Sequence, residues 1–451
     1  MLHRRLGWAL CWITLSAAGA AAQDRSSAVG KWLRANAIPL RAPASPLARP
    51  FGALESRMAN ARVFGLGEAT HGQHESFELK RRLTMHAIRE HGYRLVAYEG
   101  SSSSVRASDD YVAGRTDDRR AAIRSLGMLI WAIEENGALF DDLRTWNATH
   151  PPDQRVRLIG IDAQDGGAVV ARLRTLLAPA AAGLAQRAEA LVARAEAATQ
   201  RMFTGDRADF DAVQKDAARL AVDLRAAALA DTSTSSEREL RVQELTAHLG
   251  MYGSRGGRDK AMAELLLTQL SSEPADARCI VWAHNGHVQK SALRYMGTEE
   301  LAMGGHLARA LGERYYALGF AFGEGEFQAN KQGPDGKWGF RRYTVSAAPA
   351  GSLDATFARI GVGDFMLDLR AASAEPALQK WLDEGHGQRW WGGYGVPDDA
   401  DARTRRSSQL MPTIPRADFD GFAFIARTRA ATPVDPNLIL PVPRKPAKPT
   451  G

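Results

Sequence analysis

The 451-residue chain is 45% hydrophobic and 24% charged, an ordinary balance for a globular protein with a sizeable core, and this excludes disorder for most of its length. Its formal charge of +7 is mild and spread along the chain, with no basic stripe interleaved with aromatics, so nucleic acid is not an expected partner. Of the two cysteines, Cys11 falls in the N-terminal leader and Cys279 in an apolar run, so Cys279 is read as a core residue and no internal disulfide is expected.

The chain opens with His3, Arg4 and Arg5, an apolar stretch from Leu6 to Leu15, and Ala20-Ala21-Ala22 before Gln23. That is the three-part pattern of a secretory signal, with an apolar part too short to span a bilayer. Residues 1–22 are therefore expected to be removed from an exported, periplasmic or secreted protein without a membrane anchor. The main domain is expected over 23–430.

Seven short apolar runs follow: Val63 to Glu68, Leu95 to Glu99, Val156 to Asp162, Ile280 to His284, Tyr315 to Phe320, Phe365 to Leu369 and Phe422 to Ala426. Runs of this kind suit strands covered on both faces, and helical patterns separate most of them. The alternation predicts an α/β fold, a largely parallel sheet flanked by helices. From about 171 to 270 the signals are helical alone, with a break at Asp231 to Ser236; this stretch is read as a helical insertion over the strands' C-terminal edge. Residues 431–451 are read as a flexible Pro/Lys-rich tail.

Polar motifs stand at the ends of the predicted strands. Gly67-Glu68-Ala69-Thr70-His71-Gly72 follows the first, Glu99 closes the second, Asp162 closes the third, and His284-Asn285-Gly286-His287 follows the fourth. In open parallel sheets, ligands bind beyond the carboxyl ends of the strands, so residues far apart in sequence can share one cleft. Asp162 has the plainest alternative role, capping the next helix. A zinc or manganese site from His71, His74, Glu75, His284 and His287 is chemically conceivable, but His71-Gly72-Gln73-His74-Glu75 has neither of the familiar zinc-protease spacings. No G-x-S-x-G elbow is present. His74, His86, His91, His150, His306 and His386 carry no supporting pattern and are read as surface or core residues.

The blocks GEATHGQHESFELKRRL, the strand ending in Glu99, Arg258-Asp259 in GGRDKAMAE, and WAHNGHV together resemble the signature blocks of the erythromycin esterase family. The resemblance runs in order from Gly65 to Val288 and continues more weakly toward Arg427. It implies an active-site set of Glu68, His71, Glu99, His284 and His287. It also implies water-mediated opening of a macrolide lactone, with the histidine of the first block as general base and neither metal nor other cofactor required.

The residue types suit that chemistry on their own. Ester hydrolysis needs a base that titrates near neutral pH, which an imidazole supplies, and His71 is the best candidate. Glu68 or Glu99 can hold its tautomer. The developing oxyanion needs donors, from His284, His287, Arg258 or a backbone N–H, and a second histidine can protonate the leaving alkoxide. Glu75, Arg258 and Asp162 are read as substrate-contacting, and Met202, Phe203, Met251 and Tyr252 as a wall for a small-molecule ester or lactone. The rival readings are a periplasmic haem- or metal-binding protein and a cell-envelope polysaccharide-modifying enzyme.

Overall fold

The computed structural model describes residues 27–40, 50–202, 208–394, 396–401 and 410–440. The expected signal peptide, Phe203, the side chain of Met202 and residues 441–451 lie outside the described residues.

Eleven strands are described: β1 (Ile38–Pro39), β2 (Val63–Leu66), β3 (Leu95–Ser101), β4 (Arg157–Asp162), β5 (Cys279–Trp282), β6 (Tyr315–Gln332), β7 (Trp338–Val345), β8 (Phe365–Asp368), β9 (His386–Gln388), β10 (Met411–Thr413) and β11 (Gly421–Thr428). The helices that matter here are α1 (Leu54–Asn60), α2 (His74–His91), α3 (Gly166–Leu176), α4 (Ala182–Met202), α5 (Ala208–Ala226), α6 (Ser235–Gly250), α7 (Gly257–Ser271) and α8 (Asn285–Val288).

The main sheet runs β1-β8-β11-β6-β2-β5-β3-β4, with β7 paired to β6 off this path. From β11 to β4 every neighbouring pair is parallel, while β8 and β7 are antiparallel to their partners. Side-chain alternation separates two cores. Phe64, Leu66, Val96, Tyr98, Ile280 and Trp282 face one layer with Phe77, Leu83 and Ile88 of α2, whereas Val63, Leu95, Ala97, Cys279 and Val281 face the other with Met262, Leu266 and Leu270 of α7. Continuous apolar runs are required because the sheet is covered on both faces. Cys279 is fully buried among them, and burial pushes its thiol pKa up.

All seven predicted strands are present, and β6 is much longer than expected. Beyond Phe320 it passes Gly323 and Gly325, turns polar and pairs with β7 from Gly325 to Gln332 as a two-stranded ribbon. The apolar signal ends where that ribbon leaves the covered sheet. The stretch from 171 to 270 is helical, and α3, α4, α5 and α6 pack around their own core, which includes Val169, Leu191, Phe210, Leu220 and Leu245. Residues 431–440, assigned to the tail from sequence, run along the body: Ala431 N–H donates to Gly72, Val434 N–H to Ala132 and Leu440 N–H to Phe340.

Candidate active site

The chain leaves β2 to build β3 beyond β5, and leaves β5 to build β6 on the far side of β2. Crossovers that depart in opposite directions open a crevice above the adjacent ends of β2, β5, β3 and β4. The candidate residues gather there. A cleft of about 820 Å³ is lined by His71, Glu99, Arg258, Asp259, His284 and His287, within the ~300–1,000 Å³ range of sites for small organic ligands.

Glu68 and His71 sit on the turn between β2 and α2. Their facing atoms, Glu68 Oε1 and His71 Nδ1, are 2.5 Å apart, and among the described residues neither has another partner. The other Glu68 oxygen accepts from Lys80 Nζ at 2.9 Å, and both residues are fully buried. Burial alone would raise the Glu68 pKa; Lys80 and His71 outweigh it and hold the carboxylate below its usual range. Burial likewise lowers the Lys80 pKa, against the pull of Glu68. With Nδ1 facing Glu68, Nε2 is the nitrogen that His71 has left for the cleft. Trp131 packs edge-on against the ring, 5.1 Å between centroids.

Glu99 is pinned from three sides. Its Oε1 accepts from Arg258 Nη2 at 2.9 Å and lies 3.4 Å from His287 Nε2, while its Oε2 accepts the backbone N–H of His284 at 2.9 Å. Burial acts to raise its pKa, but His287, Arg258 and His71 bring it well below the usual carboxylate value. Asp162, at the end of β4, accepts from both Nε and Nη2 of Arg258, with the shortest contact 2.6 Å, so it anchors that guanidinium from behind the cleft.

The two histidines after β5 have opposite electrostatics. His284 Nδ1 accepts from Gly286 N–H at 3.1 Å, which leaves its proton on Nε2, donated to the carbonyl of Trp391 at 3.1 Å. Burial, reinforced by His71, lowers its pKa to about 3, so it is neutral. His287 is also buried, yet Asp259 at 2.8 Å from Nδ1 and Glu99 near Nε2 raise its pKa to about 10, so it is a cation. Arg258 Nη1 lies 3.3 Å from His287 Nε2, which puts two cationic donors side by side at the cleft wall.

Two glycines make these approaches possible. A Cβ on Gly67 would stand 2.2 Å from Asn285 Oδ1, the group that accepts from Phe320 N–H while Asn285 Nδ2 donates to Phe320 O. A Cβ on Gly286 would stand 2.8 Å from the indole of Trp390. Bulk at either position would separate the turn after β5 from its neighbours.

Glu68, His71, Glu99, His284, His287, Arg258 and Asp162 thus come together, Glu68 and Asp162 behind the residues that line the cleft. Glu75 does not join them. It points from the first turn of α2 to the surface, where Arg429 donates to it from Nε at 2.7 Å and from its backbone N–H at 2.7 Å. The helix start turns it away, and the expected substrate contact is corrected to a surface ion pair. His74 pairs with Glu135 at 2.7 Å, so the metal grouping with His71 and Glu75 is not formed.

Of the proposed wall, Met251 and Tyr252 line the cleft. The opposite wall, Tyr295, Trp390, Gly393, Tyr394 and Met411, was not anticipated; its anchors are long-range bonds, Trp391 N–H to Ala69 O and Asn330 N–H to Gly393 O. Lys80 and Asp259 were also missed as site residues. Lys80 left a signal: it lies three residues after Phe77 and three before Leu83 on the buried stripe of α2, where an unpaired lysine would be costly.

The sequence profile of the erythromycin esterase family matches residues 88–428. An erythromycin esterase type II of Escherichia coli is 34% identical over 116 residues, a match spanning 25% of this chain and 28% of that protein. Among solved structures, a Bacillus cereus protein aligns with a TM-score of 0.71 at 22% identity, covering 90% of this chain and 98% of its own. A succinoglycan biosynthesis protein gives 0.68 at 19%, with 90% and 98% covered. An erythromycin esterase mutant in its open conformation gives 0.60 at 17%, with 85% and 94% covered. These three show the fold alone. The profile covers most of the chain, which therefore belongs to the erythromycin esterase family.

Proposed function

We propose that this protein hydrolyses a carboxylic ester or lactone, of macrolide size or smaller, using His71 to activate water. The observation that carries the reading is the buried line Lys80–Glu68–His71, which ends at the cleft facing the Arg258–His287 donor pair. Glu68 holds the Nδ1 side of the ring, so Nε2 takes the proton as water attacks the carbonyl carbon. Negative charge then grows on the carbonyl oxygen, where Arg258 Nη1–H and His287 Nε2–H stabilise it as fixed cationic donors. As the tetrahedral intermediate collapses, the C–O bond to the alcohol breaks, and the His71 imidazolium returns its proton to the leaving oxygen.

Charge balance favours the same assignment. Four buried carboxylates, Glu68, Glu99, Asp162 and Asp259, face three cations, Lys80, Arg258 and His287. A proton arriving on His71 neutralises the excess. His284, held neutral with both ring nitrogens occupied, orients Trp391 and lends its backbone N–H to Glu99. The Met- and aromatic-lined walls suit a bulky apolar substrate, because thioether side chains adapt their packing to irregular shapes. The N-terminal pattern makes export to the periplasm part of this proposal, and the mechanism has no metal-dependent step. Incubation of the purified protein with macrolides and simple esters, read by mass spectrometry for addition of water, tests the function; no hydrolysed product across the panel would overturn it.

A further inference from the structure

Among the described residues, one group of His, Cys, Asp and Glu side chains brings three ligand atoms within 4.8 Å of one another: Glu55, His86 and His91. It lies away from the cleft. Glu55 belongs to α1, and His86 and His91 to the last turns of α2, whose first residue His74 stands near the cleft; the helix rise of 1.5 Å per residue separates His74 from His91 by about 25 Å.

The three groups are aimed at one point. His86 Nε2 lies 2.8 Å and His91 Nε2 3.0 Å from the same carboxylate oxygen, Glu55 Oε2. The other oxygen, Oε1, accepts the backbone N–H of Phe51 at 3.3 Å, which fixes the carboxylate's rotation. Phe51 also packs edge-on against His86, 4.8 Å between centroids, and holds that ring. The two imidazole planes meet at 70°, and their Nε2 atoms converge because both face the same Oε2. Without an ion, the two lone pairs of Oε2 accept one N–H from each ring, and the three side chains form a hydrogen-bonded staple. Once both rings give up those protons, the same two imidazoles and the carboxylate oriented by a backbone donor are the donor set of a borderline divalent cation.

We propose that Glu55, His86 and His91 bind a divalent transition-metal ion, with zinc the best match, as a site separate from the catalytic cleft. Bonds of about 2.0–2.1 Å in tetrahedral geometry place ligand atoms roughly 3.4 Å apart, so side-chain adjustments of about an ångström close the site around an ion. The histidine side chains are 16% and 13% exposed, which leaves access for water at the remaining position. The ion ties α1 to the end of α2, just before the chain enters β3, and its role is structural.

The test uses the full chain, stripped of metal and titrated with zinc chloride by calorimetry. One zinc per chain is expected, with at least tenfold weaker binding in His86→Ala and His91→Asn and undiminished binding in His71→Asn. Zinc should raise the Tm of the parent protein and leave that of His91→Asn unchanged. Cobalt(II) in place of zinc should give the intense visible absorption of a four-coordinate site in the parent and lose it in Glu55→Gln. Absence of saturable binding in the folded parent protein, or binding lost in His71→Asn but kept in His91→Asn, would overturn the proposal.

Discussion

Lys80 Nζ and Glu68 Oε2 meet at 2.9 Å with neither side chain exposed to solvent, and the other oxygen of the same carboxylate faces His71. The lysine is therefore the far end of the acid-base line, tied to chemistry through a residue that touches the base. Breaking a buried pair by removing one partner leaves an uncompensated charge and costs ~3–5 kcal/mol. Lys80→Met should lower stability by about that much. Urea denaturation checks it, and Glu68→Gln combined with Lys80→Met should recover part of the loss because both charges are gone.

His71→Asn should remove general-base function while keeping the fold, since asparagine retains hydrogen-bonding capacity but cannot hold a proton near neutral pH. A positioned base contributes about 10²–10⁴-fold, so kcat should fall at least ~100-fold with little change in KM. His74→Asn is the control, because His74 pairs with Glu135 outside the cleft. Equal losses in both variants would remove His71 from the mechanism.

The two histidines after β5 give stability opposite pH dependences. His287, raised to about 10, binds a proton that the unfolded chain releases near 6.5, so its contribution is full below about 6.5 and is lost as pH rises toward 10. His284, lowered to about 3, resists a proton that the unfolded chain takes up, so its contribution is full above about 6.5 and is lost as pH falls toward 3. Urea midpoints measured from pH 4 to 10 should show the parent protein losing its advantage over His287→Gln across the alkaline limb. A constant difference over that limb would contradict the cationic assignment.

Met251 and Tyr252, between α6 and α7, line one side of the cleft, and this is where the expected helical insertion would act on substrate. Their replacement by alanine should raise KM or change preference across an ester panel while leaving the pH profile of kcat unaltered, because neither side chain is the base, the carboxylate that holds it or a cationic donor. An unchanged preference would reduce the insertion to scaffold.

Prolonged EDTA treatment should leave most hydrolytic activity, because every step proposed at the cleft uses acid-base groups and fixed cations of the chain itself. The same treatment should lower Tm if zinc occupies Glu55, His86 and His91. Activity lost on chelation and restored by zinc or manganese would instead make His71 a ligand.

The sheet and the convergence of the candidate site were legible in sequence, because both rest on local patterns. Runs such as Val63 to Leu66 and Cys279 to Trp282 are apolar at every position since parallel strands are covered on both faces, and strand-end motifs in such a sheet open on one edge. Other properties depend on what the chain folds against. His284 and His287 are three residues apart in one motif, yet one is neutral and the other cationic, because only His287 lies between Asp259 and Glu99. Glu75 reads as part of the His71 motif in one dimension, but the first turn of α2 carries it to Arg429. Trp390 and Tyr394 line the cleft only because long-range backbone bonds, Trp391 N–H to Ala69 O and Asn330 N–H to Gly393 O, fix the segment there. Apolar periodicity is written in neighbouring residues and survives without a fold, whereas protonation state, side-chain direction and the far wall are set by contacts between segments tens to hundreds of residues apart, which only the tertiary structure brings within range.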